Sequence, residues 1–132
     1  MTRSHQKETA MGKVRIIAGQ FGGRQITTPK TDRTHPMSER VKGALFNKIA
    51  SDITGANVLD AFAGSGALGL EALSRGAAKV TFIEKDRVAS KIIAENIELL
   101  GVENTTKNMH SSVGAWCETQ DGVVRMTEAQ LI

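Results

Sequence analysis

From residue 57 onward, short apolar segments alternate with longer segments of helical pattern. The segments "NVLDAF" and "KVTFIE" are typical of buried strands, whereas "GALGLEALSRG" and "DRVASKIIAENIELLG" are typical of helices. A helical crossover between two nearly fully apolar strands predicts a parallel pair whose faces are covered. This run therefore predicts an α/β fold that begins an open, doubly wound sheet.

Capping residues mark the expected ends of the helices. Asp86 precedes the second of these helices as its N-cap, and Gly76 and Gly101 follow the first and second as stop signals. Upstream, Ser38 is placed to cap another helix. The apolar residues of that helix recur at helical spacing and predict one buried stripe, formed by Val41, Ala44, Leu45 and Ile49.

A β-hairpin is expected before these elements. "KVRIIAG" and "RQITTP" are extended segments rich in β-branched residues, and the glycine-rich "QFGGR" lies between them. Together they predict a hairpin over residues 13–28 that turns at Gly22 and Gly23. Residues 1–12 are polar, without an apolar period, and predict a loose arm.

Composition limits the class of protein. A chain of 132 residues with 40% hydrophobic and 23% charged residues fits one soluble domain with a modest core. No apolar run approaches the roughly 20 residues of a membrane span, and the N-terminus lacks the apolar segment of a secretory signal, which favours a cytoplasmic protein. One cysteine excludes an intramolecular disulfide, and three scattered histidines offer no metal-ligand spacing, so no metal site is predicted.

Positive charge is concentrated at the beginning of the chain. Residues 1–48 contain ten Lys and Arg against three Asp and Glu, whereas residues 49–132 contain seven against eleven. This asymmetry indicates a polyanionic partner for the N-terminal part, or a solvated basic surface without a partner. The candidate phosphate contacts are Arg15, Arg24, Lys30, Arg33, Arg40 and Lys42.

A glycine-rich turn follows the first predicted strand. It consists of Gly64, Ser65 and Gly66, and Gly69 completes a G-x-G-x-x-G pattern. Small residues there let a ligand approach the backbone, and the start of a helix attracts an anionic or polar group. The second strand ends at Glu84, twenty positions after Gly64, where a carboxylate usually accepts hydrogen bonds from ribose hydroxyls. Turn and acid predict an adenosine-containing cofactor; the alternative is a tight turn packed by glycines.

Asp60 helps to distinguish two such cofactors. It precedes Gly64 by four residues, at the carboxyl end of the strand. A dinucleotide would place its pyrophosphate over this turn, where an added negative charge is repulsive. S-adenosylmethionine carries no phosphate; its ammonium group attracts a carboxylate, and its own carboxylate suits the N–H groups of the turn. Asp60 therefore favours the methyl donor, unless it only caps a helix or braces the loop.

Several motifs, in order along the chain, resemble one family. "DAFAGSGALGLEALSRGA" at 60–77 and "FIEKD" at 82–86 closely resemble the bacterial 16S rRNA guanine-N2 methyltransferases of the small-subunit rRNA methyltransferase D type. "RIIAGQFGGRQI" at 15–26 resembles the opening hairpin of that family. "RTHPMSERVKGALFN" at 33–47 resembles its R-P-T-x-x-R-V-R-E-A-L-F-N segment. The resemblance runs from about residue 13 to residue 101.

This resemblance implies a partial Rossmann-like, S-adenosyl-L-methionine-dependent methyltransferase fold with an N-terminal hairpin. The implied reaction transfers a methyl group to the exocyclic amine of a guanine, in 16S rRNA or a small ribosomal subunit precursor. The implied RNA contacts are Arg15, Arg24, Arg33 and Arg40. The alternative is that these arginines are surface charges that bind no RNA. The implied donor contacts are Asp60, Phe62 (alternatively a core residue), Gly64, Ser65 and Gly66 for methionine and adenosine, Glu84 for the ribose and Lys85 beside the adenine.

Together, the sequence patterns and the resemblance predict four parts of the chain. They are a flexible arm (1–12), a basic hairpin plus helix (13–50), a Rossmann-like cofactor-binding half (51–101) and a divergent tail (102–132).

The catalytic motif of the superfamily is missing from this sequence. There, Asp or Asn followed by Pro-Pro and an aromatic residue holds the amine, orients its lone pair and stacks on the base. The chain has two prolines, Pro29 and Pro36, and both precede the glycine turn, so no Pro-Pro is present. No catalytic residue is therefore assigned.

After Gly101 the sequence departs from the family pattern. Apolar residues become sparse, and only a short hairpin turning at Asp121 and Gly122, between "AWCET" and "VVRMT", is expected. A truncated chain, a shifted reading frame and a genuine short form are all open. A partial sheet would leave apolar faces uncovered, which predicts marginal stability or self-association, with Trp116 covering part of that surface.

Three functional hypotheses follow, the first implied by the resemblance. The first is an rRNA guanine-N2 methyltransferase whose present chain lacks the residues that position the amine. The second is a noncatalytic fragment that binds RNA or the donor. The third is a dinucleotide-binding oxidoreductase domain.

Overall fold

The computed structural model describes residues 11–29, 38–61 and 63–118. Within them, a two-stranded antiparallel sheet and a three-stranded parallel sheet are connected by helices. The N-terminal elements are β1 (Met11–Arg15), β2 (Gln25–Pro29), α1 (Glu39–Lys48) and α2 (Ala50–Ile53). The elements that follow are β3 (Asn57–Asp60), α3 (Ala67–Ser74), β4 (Lys79–Glu84), α4 (Arg87–Leu100), a 3-10 turn (Glu103–Thr105), β5 (Thr106–His110) and α5 (Val113–Glu118).

The parallel sheet has the strand order β3-β4-β5, and α3 and α4 are its crossovers. Val58 lies opposite Val80, and Val80 lies opposite Thr106. Successive residues of β4 point to opposite faces, so Phe82 enters the main core and Ile83 enters a smaller cluster. The predicted α/β fold with a parallel pair is confirmed, and a third strand extends it.

The hairpin is confirmed, with β1 and β2 paired antiparallel and Arg15 opposite Gln25. Its first strand begins at Met11, inside the segment expected to be a loose arm. The connection turns at Gly23, whose φ is 89°. The Gly23 N–H donates to the Ile16 carbonyl at 2.8 Å. Because Ile16 is fully buried in the main core, the hairpin packs as an integral part of the fold.

The helix caps form as predicted. The Asp86 carboxylate accepts a hydrogen bond from the Ala89 N–H at 2.8 Å, at the start of α4. Gly101 ends α4 with a φ of 67°, a left-handed conformation that glycine adopts without steric cost. Ser38 caps α1, since its Oγ accepts a hydrogen bond from the Val41 N–H at 3.2 Å.

The buried face of α1 differs from the predicted stripe. The prediction holds for Leu45 and Ile49, which pack against the main core, and is wrong for Val41 and Ala44, which are exposed. The helix instead buries Lys42, with 1% of its side chain exposed. The prediction of Lys42 as a phosphate contact is therefore wrong. A buried ammonium group needs an ionic partner, because an unpaired buried charge is costly.

The ionic partner of Lys42 is the fully buried carboxylate of Glu71 on α3, and the Lys42 Nζ also donates a hydrogen bond to the Arg15 carbonyl at 3.1 Å. The Glu71 oxygens lie 3.5 Å from the Lys42 Nζ and 2.8 Å from the Arg75 Nε. They also accept hydrogen bonds from the N–H groups of Ile17 and Ala18, at 2.9 and 3.2 Å. Glu71 therefore joins α3 to α1 and to the hairpin connection. Breaking such a buried pair typically costs about 3–5 kcal/mol.

A second set of hydrogen bonds joins the same connection to the end of α3. The Ser74 Oγ accepts from the Phe21 N–H at 2.9 Å and donates to the Ala18 carbonyl at 2.6 Å. The Ser74 carbonyl accepts from the Gln20 N–H at 2.8 Å. Gly19 is required at this contact, because a Cβ there would collide with the Ser74 carbonyl. The hairpin thus packs directly on α3.

Regular structure continues beyond Gly101, where a divergent tail is expected. The missed strand, β5, pairs in parallel with β4, and Glu84 lies opposite His110. Its sequence, "TKNMH", lacks apolar alternation because its side chains are exposed or half-buried. The strand is held by pairing with β4, far away in the sequence, so its own residues show no pattern that predicts a strand. The predicted turn at Asp121 and Gly122 lies outside the described residues.

The short helix α5 replaces the strand expected in "AWCET", so that prediction is wrong. The Ser112 Oγ accepts a hydrogen bond from the Ala115 N–H at 3.1 Å and supports the first turn of this helix. Val113 and Trp116 pack on the second face of the parallel sheet, which confirms that Trp116 covers part of it. The cluster beneath them consists of Leu59, Ala61 and Ile83.

Two helical glycines, Gly69 on α3 and Gly43 on α1, differ in the space around them. A Cβ at Gly69 would collide with the Phe82 ring and lie 2.8 Å from the Val80 Cγ1. A Cβ at Gly43 on α1 would meet the Ile17 Cδ1 at 3.8 Å, an ordinary contact. We expect Gly69→Ala to lower the free energy of unfolding by about 1–3 kcal/mol, and Gly43→Ala to raise it by about 0.5–1 kcal/mol. Urea denaturation measures both, and changes of the same sign would contradict this packing.

Candidate functional site

The glycine turn connects β3 to α3, as predicted, and its glycines have different surroundings. Gly66 has a φ of 83°, and a Cβ there would lie 3.3 Å from the Phe82 ring. A Cβ at Gly69 would collide with the same ring. Gly64 has a φ of 58°, and a Cβ there would meet nothing within 4 Å. Packing explains why glycine is needed at positions 66 and 69, where a Cβ would press against the Phe82 ring. Gly64, in contrast, presents its backbone to open space that a ligand can fill.

Glu84 ends β4 and contacts the glycine turn. One carboxylate oxygen accepts a hydrogen bond from the Gly64 N–H at 2.8 Å. The other accepts from the Asp86 N–H, also at 2.8 Å. The predicted turn and the predicted acid are therefore in direct contact. A carboxylate offers about four acceptor positions, so acceptor capacity remains for the hydroxyl groups of a ligand.

Asp60 ends β3 and is buried, with 7% exposed. Its Oδ2 accepts a hydrogen bond from the Gly69 N–H, in the first turn of α3, at 3.0 Å. This contact corresponds to the helix-capping role that the sequence left open as an alternative. Burial raises the pKa of Asp60 to about 6; the Gly69 N–H lowers it and the charge of Glu84 raises it further. Two carboxylates thus end neighbouring strands, which suits a cationic group at neutral pH.

A cavity of about 320 Å³ opens beside these strand ends. It lies at the carboxyl edge of the parallel sheet, where open α/β sheets bind their ligands. Its volume is near the lower end of the range for small-molecule sites, about 300–1,000 Å³. The lining consists of Ala61, Ile83, Glu84, Lys85 and residues 111–114. Segment 111–114 follows the missed strand β5 and is absent from the predicted site.

The other predicted donor residues occupy distinct positions. Lys85 lines the cavity and is exposed, and its carbonyl oxygen lies 3.1 Å from the His110 Nε2. Ser65 is buried, and its carbonyl accepts a hydrogen bond from the Asn96 Nδ2 at 3.0 Å. Phe62 lies outside the described residues. Asn96 was not predicted, although a polar residue on the apolar stripe of α4 is a signal that indicates it.

Two of the predicted RNA contacts are also engaged within the protein. An Arg15 guanidinium nitrogen lies 2.7 Å from a Glu39 carboxylate oxygen, and this hydrogen bond raises the pKa of Arg15. Arg24 donates to the Leu99 carbonyl at 3.1 Å, and its guanidinium lies 6.0 Å from the centre of the Phe21 ring. Both arginines nevertheless remain exposed.

The other basic candidates are only partly described. Arg40 is exposed on α1, whereas Lys30 and Arg33 lie outside the described residues. In the three described ranges, no helix has the length and apolar character needed to cross a membrane. Nor do those ranges bring together three or more His, Cys, Asp or Glu side chains that could hold a metal ion.

The family described as Conserved hypothetical protein 95 matches residues 14–124, which continues past Gly101. Ribosomal RNA small subunit methyltransferase D of Escherichia coli (strain K12) is 48% identical over 93 residues, 70% of this chain and 47% of that protein. The protein of the same name from Haemophilus influenzae is 44% identical over 95 residues, 72% of this chain and 49% of that protein. The chain spans about half the length of the curated relatives it matches.

The architecture is similar to that of a solved structure. Escherichia coli yhhF matches with a TM-score of 0.72 at 43% identity, covering 80% of this chain and 56% of that one. The chain therefore has the Rossmann-like fold of S-adenosylmethionine-dependent methyltransferases and belongs to the Conserved hypothetical protein 95 family, which confirms the predicted resemblance to the small-subunit rRNA methyltransferase D type.

Proposed function

We propose that this chain binds S-adenosyl-L-methionine at the carboxyl edge of its parallel sheet. The hydrogen bond between Glu84 and Gly64 carries the proposal, because it joins the acid that would receive a ribose to the open glycine of the turn. The adjoining cavity of about 320 Å³ is large enough for an adenosine-sized group. The names of the curated relatives, which are methyltransferases, support the same class of cofactor.

Each described residue would hold a different part of the donor. Gly64, with Ser65 and Gly66, would let the methionine part approach the backbone, and Asp60 would attract its ammonium group. Glu84 would accept hydrogen bonds from the ribose, and Lys85 would lie beside the adenine. When bound, this donor supplies a methyl group activated by a sulfonium centre. The chain itself contributes binding, orientation and electrostatic complementarity.

The proposed substrate is ribosomal RNA, at the exocyclic amine of a guanine in 16S rRNA or in a precursor of the small subunit. The names of the curated relatives support an rRNA substrate. The exposed Arg15, Arg24 and Arg40 would contact phosphates, together with Arg33.

Binding and transfer are separate in this proposal. Methyl transfer to an amine requires groups that orient the nitrogen lone pair. The sequence contains no Pro-Pro-aromatic motif, because its two prolines are Pro29 and Pro36. We therefore propose that these residues belong to an rRNA methyltransferase and bind its donor, without transferring the methyl group by themselves. The second candidate is a noncatalytic fragment that binds RNA or the donor and takes part in no methyl transfer.

Substitution of Glu84 tests the donor site. Glu84→Ala is expected to weaken S-adenosyl-L-methionine binding by about tenfold or more, because a hydrogen bond to a charged group contributes about 1.5–3 kcal/mol. Isothermal titration calorimetry measures the affinity. Glu95→Ala is the matched control, since Glu95 is an exposed glutamate of α4 and its loss is expected to leave the affinity unchanged.

Other outcomes of that titration distinguish the alternatives. Equal affinities of the wild type and Glu84→Ala would contradict the assigned site. Binding of NAD in place of S-adenosyl-L-methionine would favour the dinucleotide hypothesis. Methyl transfer to 16S rRNA by this chain would contradict the proposed separation of binding from catalysis.

The pH dependence of binding tests the role of Asp60. Its pKa is raised to about 6, so below this pH the carboxyl group is neutral and must lose a proton before it pairs with an ammonium group. We expect the dissociation constant for S-adenosyl-L-methionine to rise by up to about tenfold between about pH 6 and pH 5, and to be level above about pH 7. Calorimetry over this range measures the slope. Asp60→Asn should bind the donor more weakly, and its affinity should not change with pH over this range. A wild-type affinity that stays constant below pH 6 would contradict this role of Asp60.

A further inference from the structure

Asn96 on α4 connects two parts of the molecule that lie far apart in sequence. Its side chain is buried, with 1% exposed. The Oδ1 accepts a hydrogen bond from the Thr27 N–H at 2.9 Å, and the Nδ2 donates to the Thr27 carbonyl at 2.8 Å. The same Nδ2 donates to the Ser65 carbonyl at 3.0 Å. One amide group therefore holds both β2 of the basic hairpin and the glycine turn.

The chemistry of this contact requires a carboxamide. Both hydrogens of the Asn96 Nδ2 are used, one toward Thr27 and one toward Ser65, while its oxygen receives the Thr27 N–H. Both backbone polar groups of Thr27 bond to this side chain, so Asn96 completes the hydrogen bonding at the edge of β2. An apolar side chain of similar size would remove this partner from three backbone groups, which is costly because the contact to Ser65 is buried and those to Thr27 are half-buried.

The other described side-chain hydrogen bonds of the hairpin do not reach the glycine turn. Glu71 and Ser74 bind the connection between β1 and β2 to α3. Arg24 binds the end of α4 through the Leu99 carbonyl. Among the side-chain hydrogen bonds of the described residues, those of Asn96 alone join the hairpin to the glycine turn.

The glycine turn also packs against the same region of α4. A Cβ at Gly66 would lie 3.4 Å from the Ile93 Cγ1, so the turn and this part of the helix are already in close contact. Ile93 precedes Asn96 by three residues and therefore shares its helix face. Asn96 therefore gives a direct hydrogen-bonded route between the glycine turn and Thr27.

We propose that Asn96 is a positioning residue that couples the two binding surfaces. Ordering of the glycine turn by the methyl donor also orders the hairpin edge at Thr27, and an RNA backbone bound to the hairpin strengthens donor binding in return. Such coupling is reciprocal, because both ligands bias the same contact. The inference rests on the proposed function and adds to it a residue that contacts neither ligand.

Amide hydrogen exchange tests the coupling, with S-adenosyl-L-homocysteine as the probe. In the wild type, the probe should slow exchange at Gly64 and, by about fivefold or more, at Thr27. The slowing at Thr27 should exceed that at Thr105, at the amino edge of the sheet, because overall stabilisation by a ligand would slow both. In Asn96→Asp, which keeps the Oδ1 acceptor for the Thr27 N–H and loses the Nδ2 donor to the Ser65 carbonyl, Gly64 should still be slowed by the probe, whereas Thr27 should not.

Asn108→Ala is the matched control for this experiment. The Asn108 Nδ2 also donates to a carbonyl of α4, that of Ser90, at 2.9 Å. Its loss should lower stability while leaving the ratio of exchange rates at Thr27, with and without the probe, as in the wild type. Should Asn96→Asp not fold, Asn96→Ala replaces it, with the amide of Thr28, the buried neighbour of Thr27 in β2, as the reporter and the same expected loss of slowing.

The outcomes separate this inference from the proposed function. Protection at Gly64 without protection at Thr27 in the wild type would overturn the coupling alone. Equal protection of Thr27 in the wild type and in the Asn96 variant would overturn it as well. If the probe neither slows Gly64 nor produces binding heat, the proposed function fails and the coupling fails with it.

Discussion

The buried carboxylate of Glu71 is the interaction on which the other parts of the structure depend. It pairs with one ammonium and one guanidinium group and accepts two backbone hydrogen bonds from the hairpin connection. Because each of these charges would be costly to bury alone, they are stable only as a set. The hairpin, α1 and α3 consequently share one core with the parallel sheet, and that core extends across the boundary between the basic part and the α/β part.

The glycine turn is built on this base. Glu71 holds α3 from the hairpin side, and Gly69 lets α3 approach the Phe82 ring on the sheet side, so the start of the helix is fixed. Gly64 is left beside open space, and Glu84 reaches it from the neighbouring strand. A pyrophosphate would meet two carboxylates at this edge, whereas a donor with an ammonium group would be attracted by them. The electrostatics therefore support a methyl donor.

Local signals predicted the elements whose ends depend on nearby residues, such as α4 between Asp86 and Gly101. They also predicted that the glycine turn and Glu84 serve one ligand, which agrees with their contact because parallel strands end at the same edge of a sheet. They failed where the partner is distant in sequence. Lys42 was predicted at the surface because it is charged, yet it is buried in an ion pair with Glu71. The strand β5 and the contacts of Asn96 were missed for the same reason, since polar residues there are stabilised by elements far along the chain.

Donor binding at the contact between Gly64 and Glu84 is tested most directly by amide NMR of the isotope-labelled chain, titrated with S-adenosyl-L-methionine. The largest chemical-shift changes should occur at Gly64, Lys85 and Ser111, which surround the carboxyl edge of the sheet. The amides of Thr105 and Lys107, at the amino edge, should change little. An absence of change at the carboxyl edge, or larger changes at the amino edge, would contradict the assignment of this site.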